Sequence, residues 1–318
     1  MIALMSAIFG GLIMLVVEPV DFEIKSTSAI DESLPIWSAN LAIKKGQDYI
    51  YNNGKKYRAT KDFTSSKSPD LDSENFVDYG ATNSRAFSDE LLHSQTTANG
   101  DLLITINVKE RVSTIAFLNC YCSRIEIPNL DIRGANGWVQ SWWDYFFVPV
   151  GFNALVRECA SWWQYFYGGF RVKKDIFFKL PEMSGEIQII LRAQDGKSAL
   201  GMLIVGNSQY IGETLIQPEI SAISYAKKTT DEWGNSVVRK GKTAKRANYM
   251  VVTQTKDADR IVNVLDNARN RGLSLFVGDS RASDGLDSLT IFGILSDYSL
   301  RVNAHDYSEL DLSFEGVI

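Results

Sequence analysis

The sequence predicts a mainly β protein: a small aromatic-cored β module followed by one or two β-sandwich-like domains, with one short helix. Three observations predict it. Apolar and polar residues alternate through ANGDLLITINVKE and RVSTIAFLNCYCSRIEIPNL, which are rich in β-branched residues. An Asn53-Gly54 step separates YIY from KKYRA, a strong hairpin signal because such turns need residues that tolerate positive φ. Only DADRIVNVLDNARNR, residues 257–271, spaces its apolar residues for a helix, with Ile261, Val264, Leu265 and Ala268 on one face and Gly272 as the stop. At 318 residues the chain exceeds what one core fills, so two or three domains are expected.

In chain order, residues 1–34 read as an N-terminal strand and linker. Residues 1–17 are almost wholly apolar, but no Lys or Arg precedes them and Gly10 and Gly11 interrupt them. A signal peptide normally opens with positive charge, and a spanning helix needs about 20 apolar residues. The preferred reading starts translation near Met14, leaves residues 1–13 as an extension and places a strand over 15–24; a membrane anchor is the weaker alternative. Residues 35–80 form a module of about 45 residues whose core must come from clustered rings. Its aromatic set is Trp37, Tyr49, Tyr51, Tyr57 and Phe76. Residues 81–216 carry the strand-like runs above and then DIFFKLPEM, GEIQIILRAQ and ALGMLIVGNSQYIG. An insertion at 138–178 holds five of the seven tryptophans and fifteen aromatic residues in all. Two WW-x-Y-F blocks, starting at Trp142-Trp143 and Trp162-Trp163, lie twenty residues apart there. Rings this dense suit a buried subunit interface first, through Trp142, Trp143, Trp162, Trp163 and Tyr165; host-surface contact is second and membrane contact third. Residues 217–318 read as a C-terminal β-rich domain containing the helix near 257–271.

Catalytic chemistry finds little support. His93 and His305 are far apart and read as surface residues. Cys120 and Cys122, sharing a strand, would point to opposite faces and make a poor zinc pair. With Cys159 they leave an odd count, which fits idle thiols in a reducing cytoplasm. Paired carboxylates occur at Asp70 and Asp72, Asp257 and Asp259, and Asp284 and Asp287, as in any acidic chain; two carboxylates meeting over a sugar would make a glycosidase. No catalytic residue, metal ligand or cofactor is assigned. The net charge of −5 argues against a nucleic-acid surface, and Arg239, Lys240, Lys242, Lys245 and Arg246 read as a solvated loop between strands.

Ile36-Trp37, Gly46, Tyr49-Ile50-Tyr51, Asn53-Gly54, Lys56-Tyr57-Arg58-Ala59, Ser68-Pro69 and Phe76-Val77-Asp78-Tyr79-Gly80 resemble the chitin-binding-like modules of carbohydrate-binding families 5 and 12. Those modules usually carry Trp where this chain has Phe76. The next residues, Gly80-Ala81-Thr82-Asn83-Ser84-Arg85-Ala86-Phe87, resemble the GxTNRWAMFD junction of tail and baseplate proteins of bacterial viruses and prophages. Residues 201–212, Tyr225-Ala226-Lys227-Lys228, Asp231-Glu232-Trp233-Gly234, 292–298 and 310–317 are similar to the same group. The resemblance implies a non-catalytic virion structural protein, assembled in the host cytoplasm and located in the tail. It would be a homo-oligomer joined to other tail proteins, with a host-surface glycan held by Trp37, Tyr49, Tyr51, Tyr57 and Phe76. The alternatives are a virion-associated glycan hydrolase and a membrane-associated factor using residues 1–17 and the Trp-rich insertion.

Overall fold

The computed structural model describes residues 12–52, 54–92, 94–128, 150–156, 171–215, 218–230, 233, 236–278, 289–302 and 306–317. Two strands, β1 (Leu12–Pro19) and β2 (Phe22–Thr27), precede the small module, whose strands are β3 (Ala42–Ile43), β4 (Asp48–Tyr51), β5 (Lys55–Ala59), β6 (Phe63–Thr64) and β7 (Phe76–Ala81). Next come β8 (Thr96–Asn99), β9 (Leu102–Leu118), β10 (Arg124–Ile127), β11 (Val150–Asn153), β12 (Leu155–Val156), β13 (Arg171–Val172), β14 (Ile176–Arg192), β15 (Lys197–Leu200) and β16 (Met202–Thr214). The last part holds β17 (Glu219–Ser224), β18 (Lys227–Thr230), β19 (Ser236–Arg239), β20 (Thr243–Gln254), α1 (Ala258–Arg271), β21 (Ser274–Val277), β22 (Thr290–Val302) and β23 (Tyr307–Gly316). The protein is mainly β, with one short α-helix among the described residues.

Most strands outside the module belong to one antiparallel sheet, ordered β11-β10-β14-β9-β16-β1-β21-β22-β23-β20-β17, with β2 also on β9. A further pairing of β16 with β20, Glu213 opposite Val252 and Thr214 opposite Val251, closes six of these strands into a ring. That ring is a small barrel, and closure removes the exposed edges that an open sheet would leave. Its inner face follows the period of two: Ser308, Leu310, Leu312 and Phe314 on β23 are buried, while their alternating neighbours face outward. Phe314 packs on Phe276 at 4.0 Å and on Tyr249 at 5.6 Å, and the Tyr249 hydroxyl donates to Leu289 O. Ile261, Leu265 and Ala268 of α1 join this cluster, and Gly272 ends the helix at φ 92 with its N–H on Ala268 O. The paired strands β22 and β23 come so close at Gly293 that there is no room for a side chain: a Cβ there would sit 2.1 Å from Glu315 O.

A second core lies on the inner faces of β9, β14 and β10, with Phe22 and Ile24 of β2 packed against it. A third cluster joins the two lobes, because Leu15 and Val17 of β1, Ala116 and Leu118 of β9, Met202 and Ile204 of β16, and Leu275 and Val277 of β21 pack together. Both faces of β1 are thus buried, Met14 and Val16 toward the barrel and Leu15 and Val17 toward the join.

Several expectations change here. The division between residues 216 and 217 cuts a continuous sheet, since β16 and β1 pair with strands on both sides of it. The N-terminal strand starts at Leu12, ahead of Met14, and pairs Leu12 with Thr214. Residues 102–118 and 176–192 each form one long strand, bent by bulges, where alternation alone suggested shorter ones. At the first hairpin Tyr51 pairs with Lys55, and the positive φ values fall on Asn52 and Gly54.

Candidate functional site

The small module places its rings according to strand alternation. On β4, Tyr49 points inward; on β5, Tyr57 does; on β7, Phe76 does, and all three are buried with Ile43 and Ala59. Trp37, Tyr51 and Phe63 pack around them half-buried. The contacts are mostly edge-to-face: Tyr49 with Phe76 at 6.4 Å, Phe63 with Phe76 at 5.3 Å, Tyr51 with Tyr57 at 6.4 Å and Trp37 with Tyr51 at 5.1 Å. Two of their polar ends are satisfied inside the module. Trp37 Nε1 donates to Ser65 Oγ, and the Tyr49 hydroxyl accepts from Lys44 N–H and donates to Gln47 Oε1. Burial, helped by the charges of Asp78 and Asp70, pushes the Tyr57 phenol up. Of the five rings expected to hold a sugar, Tyr49, Tyr57 and Phe76 therefore build the core and offer no free face, while Trp37 and Tyr51 keep part of theirs.

The outer face of the same sheet carries a ring that the sequence reading left out of the set. Tyr79 on β7 is 53 % exposed, and the Arg58 guanidinium lies 3.7 Å above its ring. Asp48 fixes that guanidinium by two hydrogen bonds, 2.6 and 2.8 Å, and holds it still more firmly protonated. Val77 is exposed beside them. The signal was legible, since Tyr79 lies an odd number of residues from Phe76 and so falls on the opposite face of the strand from that buried ring.

The junction after the module is a clamp. Asn83 donates through Nδ2 to Ile30 O and Thr97 O and accepts Thr97 N–H at Oδ1. Ser84 donates through N–H and Oγ to the Asp31 carboxylate, and Thr82 N–H donates to Gly54 O. Glu32 accepts from Lys56 and from Asn83 N–H; burial alone would raise its carboxyl, but these partners hold it below the usual range. Gly54 has φ +78, and a Cβ there would meet Arg85 and Thr82 at 2.8 Å. The Thr82-Asn83-Ser84 motif thus ties the segment entering the module, residues 30–32, to β8 beyond it.

Elsewhere, Trp142, Trp143, Trp162, Trp163 and Tyr165 lie outside the described residues, as do His93, His305, Cys159, Asp284 and Asp287. Cys120 and Cys122 do not point apart: β9 ends at Leu118, Asn119 turns the chain at φ 51, and both thiols enter one core. The hydrogen bond between the two thiols, with burial, pushes the Cys120 thiol well up, so it stays protonated. Asp72 accepts from Asn75, and Asp257 lies 3.9 Å from Arg260. The basic run is not a plain loop, because Lys245 and Arg246 are part of β20. Among the described residues no group of three or more His, Cys, Asp or Glu side chains could hold a metal ion, and no helix is long and apolar enough to cross a membrane. A crevice of about 680 Å³ is lined by, among others, the basic residues Arg85, Lys109 and Arg271 and the acidic residues Asp21, Glu23 and Glu90.

No family model matches the chain, and no curated protein matches it.

Proposed function

We propose that this chain is a non-catalytic structural subunit of the tail or baseplate of a bacterial virus, one that carries a small glycan-recognition module. The observation that carries the reading is the clamp at residues 82–84. It fixes a separately cored module to a frame whose single sheet runs through both lobes. A rigid frame with one outlying module suits display at a surface, where several copies turn weak contacts into firm attachment. Glycan contact falls to the rings that the core leaves partly open: Tyr79 with its stacked Arg58, then Trp37 and Tyr51. Other tail proteins and further copies of this chain are its partners.

Electron microscopy of particles carrying a labelled copy tests the structural role, and the label is expected in the tail. Label absent from the tail refutes it. Binding of the full chain to host polysaccharide tests the module: Tyr79→Ala is expected to weaken binding, and equal binding by wild type and variant removes the glycan role.

A further inference from the structure

In the main sheet β1 lies between β16 and β21, with Leu12–Pro19 paired to Thr214–Gly206 and Leu15–Val17 paired to Val277–Leu275. It ends before β16 does. One more backbone bond follows, Val20 N–H to Val205 O at 2.7 Å, and the chain then leaves this row to set Phe22 opposite Val108 on β9. Met202–Val205 of β16 are paired along one edge, to Leu118–Ile115 of β9. Among the described residues no strand takes their other edge. The N–H and C=O of one strand residue face the same edge, and so do those of the residue two along. Val205 O faces the β1 side, so the Leu203 N–H and C=O face it too, although Leu203 is only 3 % exposed. Buried backbone groups of this kind require partners, and proteins cover such edges.

The crevice of about 680 Å³ runs along this open row. Its walls include Leu203 and Val205 of β16, Pro19 and Val20 where β1 ends, and Arg271 and Leu273 ahead of β21. Leu203 and Val205 belong to one core and Met202 and Ile204 to the join, so apolar groups lie on both sides of the edge. Of the charged residues lining the crevice, Arg85, Lys109 and Arg271 make no ion pair or side-chain hydrogen bond, and neither do Asp21 and Glu90. Glu23 is engaged by Lys25 at 3.5 Å, which leaves the positive charges in excess.

The geometry points to a peptide-binding slot, in which an extended segment of a partner protein, alternately apolar and bearing an acidic side chain, adds to the free edge of β16 at Met202–Val205. Four residues of added strand span about 13 Å. Main-chain bonds to Leu203 supply affinity, and side chains that continue the line of Leu15 and Val17 into the join supply selection. A sugar chain has no row of N–H and C=O groups to match this edge. The slot shares no residue with the Tyr79 and Arg58 face, and it goes beyond the tail reading without depending on it.

Fluorescence anisotropy of the full chain with labelled acetyl-TVEVTV-amide tests the slot, with acetyl-TVKVTV-amide as the charge control. The acidic probe is expected to bind about five-fold tighter or better. Methylating its backbone nitrogens one at a time should cost about ten-fold at alternate positions and little between them, the signature of strand pairing. Arg271→Glu, at an exposed position and checked by an unchanged far-UV spectrum and Tm, should weaken the acidic probe and favour the lysine one. Amide exchange should slow at residues 202–205 when the probe binds and stay unchanged at residues 70–79. No binding of the acidic probe at millimolar concentration overturns the inference. So do equal binding of the two probes, methylation effects without alternation, protection at 70–79 instead of 202–205, and displacement of the probe by host polysaccharide.

Discussion

Replacing Leu15 by Ala probes a strand that, with β16, holds both lobes together. Leu15 is 2 % exposed and sits in the cluster where β9 and β16 of one lobe meet β21 and Phe292 of the other. Leu→Ala at a fully buried site removes the side chain's transfer energy and leaves a cavity, together about 3 kcal/mol. Since β1 is paired with β16 on one side and β21 on the other, the loss cannot stay in one lobe. Amide hydrogen exchange read by mass spectrometry should show Ile187–Leu191 of β14 and Leu310–Phe314 of β23 opening more often together, by roughly a hundred-fold. Phe76→Ala is the contrasting case. It empties the core of the small module, where it touches Tyr49 and Phe63, and should release protection there while both lobes keep theirs. If Leu15→Ala exposes β14 but leaves β23 as in wild type, the two lobes are separate domains and the reasoning from a shared sheet is wrong.

Three further outcomes follow from single contacts. Tyr249→Phe removes the hydroxyl that donates to Leu289 O and should cost about 1 kcal/mol in urea unfolding. Burial raises the Tyr249 phenol well above its ordinary value, so its contribution is whole below about pH 10. Above that only the unfolded phenol ionises, and stability falls as pH rises; Tyr249→Phe should lose less stability between pH 9 and 11 than wild type, about pH units that bracket the free phenol, and parallel curves would refute the assignment. Gly293→Ala drives a Cβ into the Glu315 carbonyl across the β22–β23 pair, and an unchanged Tm would contradict a predicted loss of about 1–3 kcal/mol or more. Cys120 and Cys122 should resist iodoacetamide at mildly alkaline pH until the chain unfolds, which peptide mass mapping reads residue by residue.

What the sequence showed depended on whether the signal was local. The helix at Ala258–Arg271 was legible because its apolar spacing, its closing Gly272 and its length are all properties of fifteen neighbouring residues. The strands were legible for the same reason. Ring closure was not: the pairing of Glu213 with Val252 joins positions far apart in the chain, and alternation within a strand carries no record of its neighbour. The strand at residues 12–19 was legible in part, as the expected strand over 15–24, but the burial of both its faces was not, since a mostly apolar run does not say what covers each side. The cysteines were misjudged because alternation was carried past the end of β9 at Leu118, through the turn at Asn119.

The candidate site raises a sharper question about what a resemblance measures. Its most distinctive residues are Tyr49, Tyr57 and Phe76, and each of them is buried. The place where the similar modules carry Trp is Phe76, which here is wedged between Tyr49 and Phe63. A module this small has too little aliphatic material to choose its core freely, so ring positions are fixed by packing before any ligand is considered. The junction residues Thr82, Asn83 and Ser84 are fixed in the same way, by the backbone groups of Ile30, Gly54 and Thr97 and the Asp31 carboxylate. The pattern of rings and junction residues in this chain therefore records how the module folds and how it is held. If the module recognises glycan as proposed, ligand choice resides at positions the core leaves alone, Arg58, Val77 and Tyr79 on the outer face. Substituting those three should change what the protein sticks to without changing its stability, whereas any exchange at Tyr49, Tyr57 or Phe76 should do the reverse.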